Sequence, residues 1–119
     1  MNGRPMSSSQ IAMLNLQVAL DRVGGDSELL AEVAKLFLMD SPRSIGEIRK
    51  AIDEGNAKLL EREAHSLKGS ASNFGAQPVV DAALALEQMG RAGDLAGAPE
   101  GLSRLVEVLG QFERELAAL

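Results

Sequence analysis

Apolar residues recur every three or four positions along most of this chain, which is the spacing of amphipathic helices. The longest run passes through Leu30, Phe37 and Ile48 and keeps its phase across Pro42. Because the phase is preserved, we predict one long, bent helix over about residues 26–54, in which the proline removes a single hydrogen bond.

Glycines and prolines divide the rest of the chain into further helical segments. A short first helix ends at Gly24-Gly25, and a third helix is closed by Gly75. The fourth helix starts near Pro78 and decays into a loop-like stretch over residues 90–97, and a last helix follows Pro99. The predicted fold is therefore all-α: an antiparallel four-helix bundle with a short additional N-terminal helix.

The first nine residues differ from the rest of the chain. They are polar, include Pro5 and three consecutive serines, and show no periodicity. We expect residues 1–9 to be a disordered leader and residues 10–119 to form a single domain, because 119 residues are enough for one core.

Composition limits the possible functions. The chain has no cysteine, which excludes disulfides and thiolate metal sites and is compatible with the cytoplasm. No apolar run approaches the roughly 18 residues that a membrane span needs. The net charge is −5, and Trp and Tyr are absent, so both the basic patch and the stacking residues of a nucleic-acid site are missing. We therefore expect no nucleic acid or membrane as partner, and binding to other proteins. We also expect the chain to be a monomer.

The third helix carries the only histidine of the chain, His65. A turn of about 100° per residue places it roughly 140° from the centre of the apolar stripe, so it should face solvent. Lys68, at i+3, can bring its ammonium beside an anion on the ring. Gly69, at i+4, costs about 1 kcal/mol relative to alanine in a helix, and it leaves space beside the ring.

Each of these residues also has a simpler interpretation. A lone histidine is usually a solvated surface or satisfied core residue, and Lys68 alone is an ordinary surface lysine. A glycine in a helix can serve the close approach of a neighbouring helix, although position 69 faces the same side as His65.

Glu87 is a candidate partner of the histidine. The turn between the third and fourth helices centres near Ala76, and equal numbers of residues separate His65 and Glu87 from it. The two side chains should then be level, and the carboxylate could accept a hydrogen bond from Nδ1, leaving the Nε2 lone pair outward. The alternative is a solvated surface glutamate, and the sequence leaves both open.

The run HSLKGSASNFG from His65 to Gly75, preceded by Ala64 and followed by Leu86-Glu87, resembles the signature of the histidine phosphotransfer (HPt) family. Three further features fit the layout of that family along about residues 14–118: Gly24-Gly25-Asp26, Phe37 and the region of Pro42.

The resemblance implies a phosphorelay intermediate. His65 would accept a phosphoryl group from a receiver-domain aspartate or a sensor histidine kinase and pass it to another receiver. Lys68 would steady the phosphoryl charge, Gly69 would admit the active site of the receiver, and Glu87 would orient the ring. Many relatives have Gln at the position of Glu87, whereas chemotaxis-kinase phosphotransfer domains have Glu.

The resemblance also implies a phosphocarrier without kinase activity of its own. It would need no cofactor and no metal of its own, because the required Mg²⁺ belongs to the receiver domain.

Two other functions compete with this one. A non-catalytic helical bundle that binds a partner, with His65 incidental, is the stronger alternative. A di-iron bundle is weaker, because it needs paired Glu-x-x-His motifs and position 62 is Arg in a chain with one histidine.

The short first helix is a candidate docking surface for a receiver. Its alternating apolar residues offer more apolar surface than one helical stripe can bury, and we expect Met13 or Leu16 to be exposed there. The alternative is that this helix forms a lid on the open end of the bundle, and both roles can hold together.

Overall fold

The computed structural model describes residues 13–119, which form five helices and no strand: α1 (Leu16–Arg22), α2 (Ser27–Glu54), α3 (Ala57–Ser72), α4 (Gln77–Ala92) and α5 (Ala98–Ala117). The predicted leader, residues 1–9, and the predicted domain start at residue 10 lie outside the described residues and stay predictions. None of these five helices is long and apolar enough to cross a membrane.

Helices α2 to α5 form a four-helix bundle. α2 packs against α3 and α5, and α4 packs against the same two helices, so the four surround one core. Short connections between consecutive helices make the neighbours antiparallel. The predicted fold class, with a short additional N-terminal helix, is confirmed.

The helix ends follow the local signals in the sequence. Asp26 caps α2 by accepting the backbone N–H groups of Glu28 and Leu29. The long helix then runs without interruption through Pro42, as its unbroken phase predicted. Helix α3 ends at Ser72, and Gly75 adopts the left-handed φ of 63° that turns the chain into α4.

All three phenylalanines of the chain meet in the core. Phe37 of α2, Phe74 after α3 and Phe112 of α5 form edge-to-face pairs with ring centroids 5.2–5.6 Å apart. Each ring is at most 7% exposed. The cluster fixes α2 and α5 against the C-terminal end of α3, which makes α3 a rigid support for its outward-facing side chains.

Helix α4 is longer than the sequence predicted. The loop was expected to begin at Gly90, but the helix continues to Ala92. A Cβ at Gly90 would lie 2.6 Å from the backbone nitrogen of Glu61 and 2.7 Å from the carbonyl oxygen of Ala57. Gly90 is therefore a packing residue that lets α3 and α4 approach closely, and Arg91 is a helical residue.

Helix α1 forms a lid on one end of the bundle. The Asn15 N–H donates to the carbonyl oxygen of Phe74 at 2.9 Å, and the N–H groups of Met13 and Leu14 donate to the Glu115 carboxylate at 2.7–2.9 Å. These bonds pull the start of the described chain onto the bundle. Of the two residues expected to be exposed, Met13 is therefore buried, at 7% exposure, whereas Leu16 is 49% exposed.

Candidate functional site

His65 projects from the middle of α3 into solvent. Its side chain is 66% exposed, while Ala64 and Leu67 beside it are buried in the core. The predicted outward orientation is confirmed. The imidazole thus stands on a helix whose opposite face is held by packing.

Glu87 of α4 lies beneath the imidazole. Its side chain is 2% exposed, and its Oε2 is 3.0 Å from Nδ1 of His65. The alternative of a solvated surface glutamate was wrong. Because a carboxylate only accepts hydrogen bonds, we assign the proton of the neutral ring to Nδ1, which leaves the lone pair on Nε2.

Lys68 reaches the same carboxylate from α3. Its ammonium lies 2.7 Å from Oε1 of Glu87, and its side chain is 26% exposed. Oε1 is fully buried and has no hydrogen bond of regular geometry among the described residues. The contact is therefore an ion pair without the directional constraint of a good hydrogen bond.

Arg91 is a second cation on Glu87, which the sequence reasoning missed. Its Nη2 donates to Oε2 of Glu87 at 2.8 Å, and its Nε donates to Oε2 of Glu61 at 3.1 Å. The available signal was the i,i+4 spacing from Glu87 along one helix. Because the sequence predicted a loop from Gly90 onward, Arg91 was not expected to lie on that helix.

The contacts with Lys68 and His65 decide the charge of Glu87. The close contact with the Lys68 ammonium, followed by the hydrogen bond from His65, lowers the pKa of the Glu87 carboxyl below its usual value, despite the desolvation that burial imposes. Glu87 is therefore a carboxylate at neutral pH, and it can stabilise positive charge that develops on the ring of His65.

Gly69 lies one turn after His65 on an exposed part of α3. A Cβ built on it would meet nothing within 4 Å, unlike one on Gly90. Close approach of a neighbouring helix therefore does not explain this glycine. The open surface beside the ring leaves room for another molecule to come near.

The surroundings of His65 favour an anion. An open depression of about 340 Å³ beside the ring is lined by these residues: Lys58, Glu61, Arg62, His65, Glu87 and Arg91. With Lys68 nearby, cations outnumber carboxylates here, although the chain as a whole carries a net charge of −5. Such a local excess of positive charge attracts a phosphoryl group.

Comparison with known protein families shows that the model of the Hpt domain matches residues 32–119. The match covers most of the chain and includes every residue of the site. The chain belongs to the Hpt domain family. Membership confirms the resemblance seen in the sequence, and with it the predicted role as an intermediate in histidine phosphotransfer.

Two solved structures share the fold of this Hpt domain. The crystal structure of histidine-containing phosphotransfer protein B (HptB) from Pseudomonas aeruginosa PAO1 matches with a TM-score of 0.83 and 24% identity, over 89% of this chain and 92% of that one. The HPT domain of an Hpt sensor hybrid histidine kinase from Shewanella matches with a TM-score of 0.77 and 18% identity, over the same shares. No match was found among curated proteins.

Proposed function

We propose that His65 is the residue on which this Hpt domain carries the phosphoryl group. It accepts the group from a receiver aspartate, or from a sensor histidine kinase, and passes it to another receiver. The observation that carries this proposal is the hydrogen bond of 3.0 Å between Nδ1 and buried Glu87, beneath a ring that is 66% exposed. That bond leaves Nε2 as a nucleophile in solvent.

The proposed transfer balances without a proton leaving the ring. The Nε2 lone pair of His65 attacks the phosphorus of the aspartyl phosphate, so that a P–N bond forms while the P–O bond to the aspartate breaks. The aspartate departs as a carboxylate with the bonding electron pair. Nδ1 keeps its proton, and the positive charge that the ring acquires faces the carboxylate of Glu87.

The other site residues act by position and charge, on which phosphoryl transfer mainly depends. Lys68 stabilises the phosphoryl oxygens, Gly69 leaves space for the active site of the receiver, and Glu87 orients the ring. Mg²⁺ is a further part of the proposal, and the receiver holds it. We also propose that this phosphocarrier has no kinase activity of its own.

The docking surface includes the groove between α2 and α3. This groove of about 220 Å³ is lined in part by Ser70 and Asn73, which follow His65 along α3, and by Leu36 of α2, which is 63% exposed. We propose that a receiver bound at Nε2 extends along α3 over Ser70 and Asn73 and thereby covers Leu36. Leu16 on α1 is 49% exposed and is a second candidate contact, as the sequence led us to expect.

The proposal extends to assembly and location. Because the domain has a single histidine, it can exchange a phosphoryl group with one receiver at a time, and we propose that it acts as a monomer. A chain without cysteine is compatible with the reducing cytoplasm, where we place it.

The direct test is incubation with a panel of phosphorylated receiver domains and Mg²⁺, scoring which of them transfers label to this chain. We expect at least one receiver to do so, and no label from ATP alone. Receivers that bind but never transfer label would support the alternative of an interaction module with an incidental His65.

A further inference from the structure

Lys68 has two possible partners in the proposed reaction cycle. In the structure, its ammonium lies 2.7 Å from Oε1 of Glu87. In the phosphorylated form, its proposed partner is the phosphoryl group. Glu87 contacts the ring at Nδ1, whereas the phosphoryl group is attached to Nε2 on the other side. An ammonium that turns to the phosphoryl oxygens therefore moves away from Oε1.

The departure of Lys68 would leave Glu87 in an unfavourable state. Oε1 is fully buried and has no regular hydrogen bond among the described residues, so it would lose its ionic partner. A buried carboxylate without a counter-charge is costly and tends to take up a proton. A protonated Glu87 would no longer be a charged acceptor for Nδ1–H at the stage when the ring becomes positive.

Arg91 is placed to prevent this. Its Nη2 is already 2.8 Å from Oε2 of Glu87, and a guanidinium has five N–H donors in a planar fork that can span both oxygens of a carboxylate. Its Nε is held by Glu61 at 3.1 Å. The side chain is 62% exposed, so a small movement toward Oε1 is open to it.

We propose, on the basis of the proposed function, that Arg91 is a positioning residue which keeps Glu87 charged and bonded to His65 when Lys68 turns to the phosphoryl group. Lys68 and Arg91 are then alternate counter-charges of one carboxylate. A merely structural Arg91 would instead join α4 to α3 through Glu61 and would affect folding alone.

The test uses Lys68→Ala to reproduce the state in which Lys68 has left Glu87, and the variants are compared without phosphate. The readout is the tautomer of the neutral His65 ring, measured from its imidazole ¹⁵N shifts by NMR. We expect Lys68→Ala alone to keep the Nδ1–H tautomer, because Arg91 remains. The double variant Lys68→Ala/Arg91→Ala should change to a predominant Nε2–H form, which free histidine favours.

Two companion variants separate charge from structure. Arg91→Lys in the Lys68→Ala background should restore the Nδ1–H tautomer, because it returns a cation. Arg62→Ala in that background removes a charge near the ring that does not contact Glu87, and it should leave the tautomer unchanged. Circular dichroism checks that each variant is folded. If Arg91→Ala is not folded, Arg91→Gln, which keeps most of the aliphatic stem of the side chain, replaces it.

The proposal is overturned if the double variant keeps the tautomer of Lys68→Ala, because Arg91 is then unnecessary. It is also overturned if Lys68→Ala alone loses the Nδ1–H form, because Arg91 is then insufficient. The measurement needs no phosphate, so a failure of every receiver to label the wild type would count against the proposed function and not against this result.

Discussion

Nδ1 of His65 lies 3.0 Å from Oε2 of Glu87, so an exposed ring on α3 is held by a buried carboxylate on α4. The close approach of the two helices at Gly90 supports this pair, because it brings the backbones together one turn beyond Glu87. The proposed nucleophile is therefore positioned by the packing of the bundle.

Replacing Glu87 should separate the effect of its charge from that of its hydrogen bond. Glu87→Gln keeps an acceptor for Nδ1–H but removes the charge, so label transfer from a phosphorylated receiver should slow by less than about tenfold. Glu87→Ala removes both and should slow it about tenfold to hundredfold. Initial rates of labelling measure both effects, and wild-type rates in Glu87→Ala would show that the ring needs no orientation.

The lowered pKa of Glu87 predicts how stability depends on pH. A carboxyl whose pKa is lowered on folding contributes stability above its unfolded value, about 4.3, and that contribution is lost as the pH falls from there through the folded value. Urea unfolding between pH 7 and pH 3 should therefore show a steeper loss of unfolding free energy for the wild type than for Glu87→Gln. Parallel curves for the two proteins would contradict the assignment.

Three glycines in helices allow a matched comparison. A Cβ at Gly69 or at Gly46 of α2 meets nothing within 4 Å, so alanine at either position should raise the unfolding free energy by about 1 kcal/mol. Gly69→Leu should also slow transfer from a receiver, because it fills the space beside the ring, whereas Gly46→Leu should leave transfer unchanged. Gly90→Ala should destabilise the protein, because its Cβ would collide with the backbone of α3.

For the glycines, the informative comparison is between stability and transfer. Gly69→Leu should have a raised unfolding free energy together with reduced transfer. A parallel fall in both would assign Gly69 to packing.

Charge placed on the proposed docking surface should weaken the binding of a receiver without affecting the chemistry of His65. Leu36→Glu and Leu16→Glu are the test variants. Val106→Glu is the control, because Val106 is 42% exposed and lines a groove between α2 and α5 rather than the groove beside α3. Labelling by a receiver should fall only in the test variants, while labelling by phosphoramidate, which needs no docking surface, should be equal in all.

The docking variants can also contradict the account. If labelling by receiver and by phosphoramidate falls together in Leu36→Glu, the variant has damaged the site itself. If Leu36→Glu and Val106→Glu behave alike, the groove between α2 and α3 is not the docking surface.

Local signals in the sequence were sufficient to predict most of the fold. The cap at Asp26, the phase kept across Pro42 and the left-handed Gly75 each depend on a few neighbouring residues. The level position of His65 and Glu87 also followed from the short turn between α3 and α4. These features require no knowledge of how distant segments pack.

The features that the sequence did not reveal depend on tertiary packing. In the sequence, Gly90 has the pattern of a loop start, and only the packing of the α3 backbone against it shows that it is a helical packing residue. Because the predicted helix ended at Gly90, the role of Arg91 was also missed. Met13 is buried because its N–H binds Glu115, a residue at the far end of the chain. Leu36 lies outside the apolar stripe of α2, so the sequence is consistent with its exposure, but its place in the groove between α2 and α3 depends on how the two helices pack.

The central claim is tested most directly by asking where the label resides after transfer from a phosphorylated receiver. The label should be labile to acid and stable to alkali, as the P–N bond of a phosphohistidine requires, and His65→Gln should abolish it. Because the ring is 66% exposed, this substitution should change the unfolding free energy by no more than about 0.5 kcal/mol. Retention of label by a folded His65→Gln variant would contradict the account.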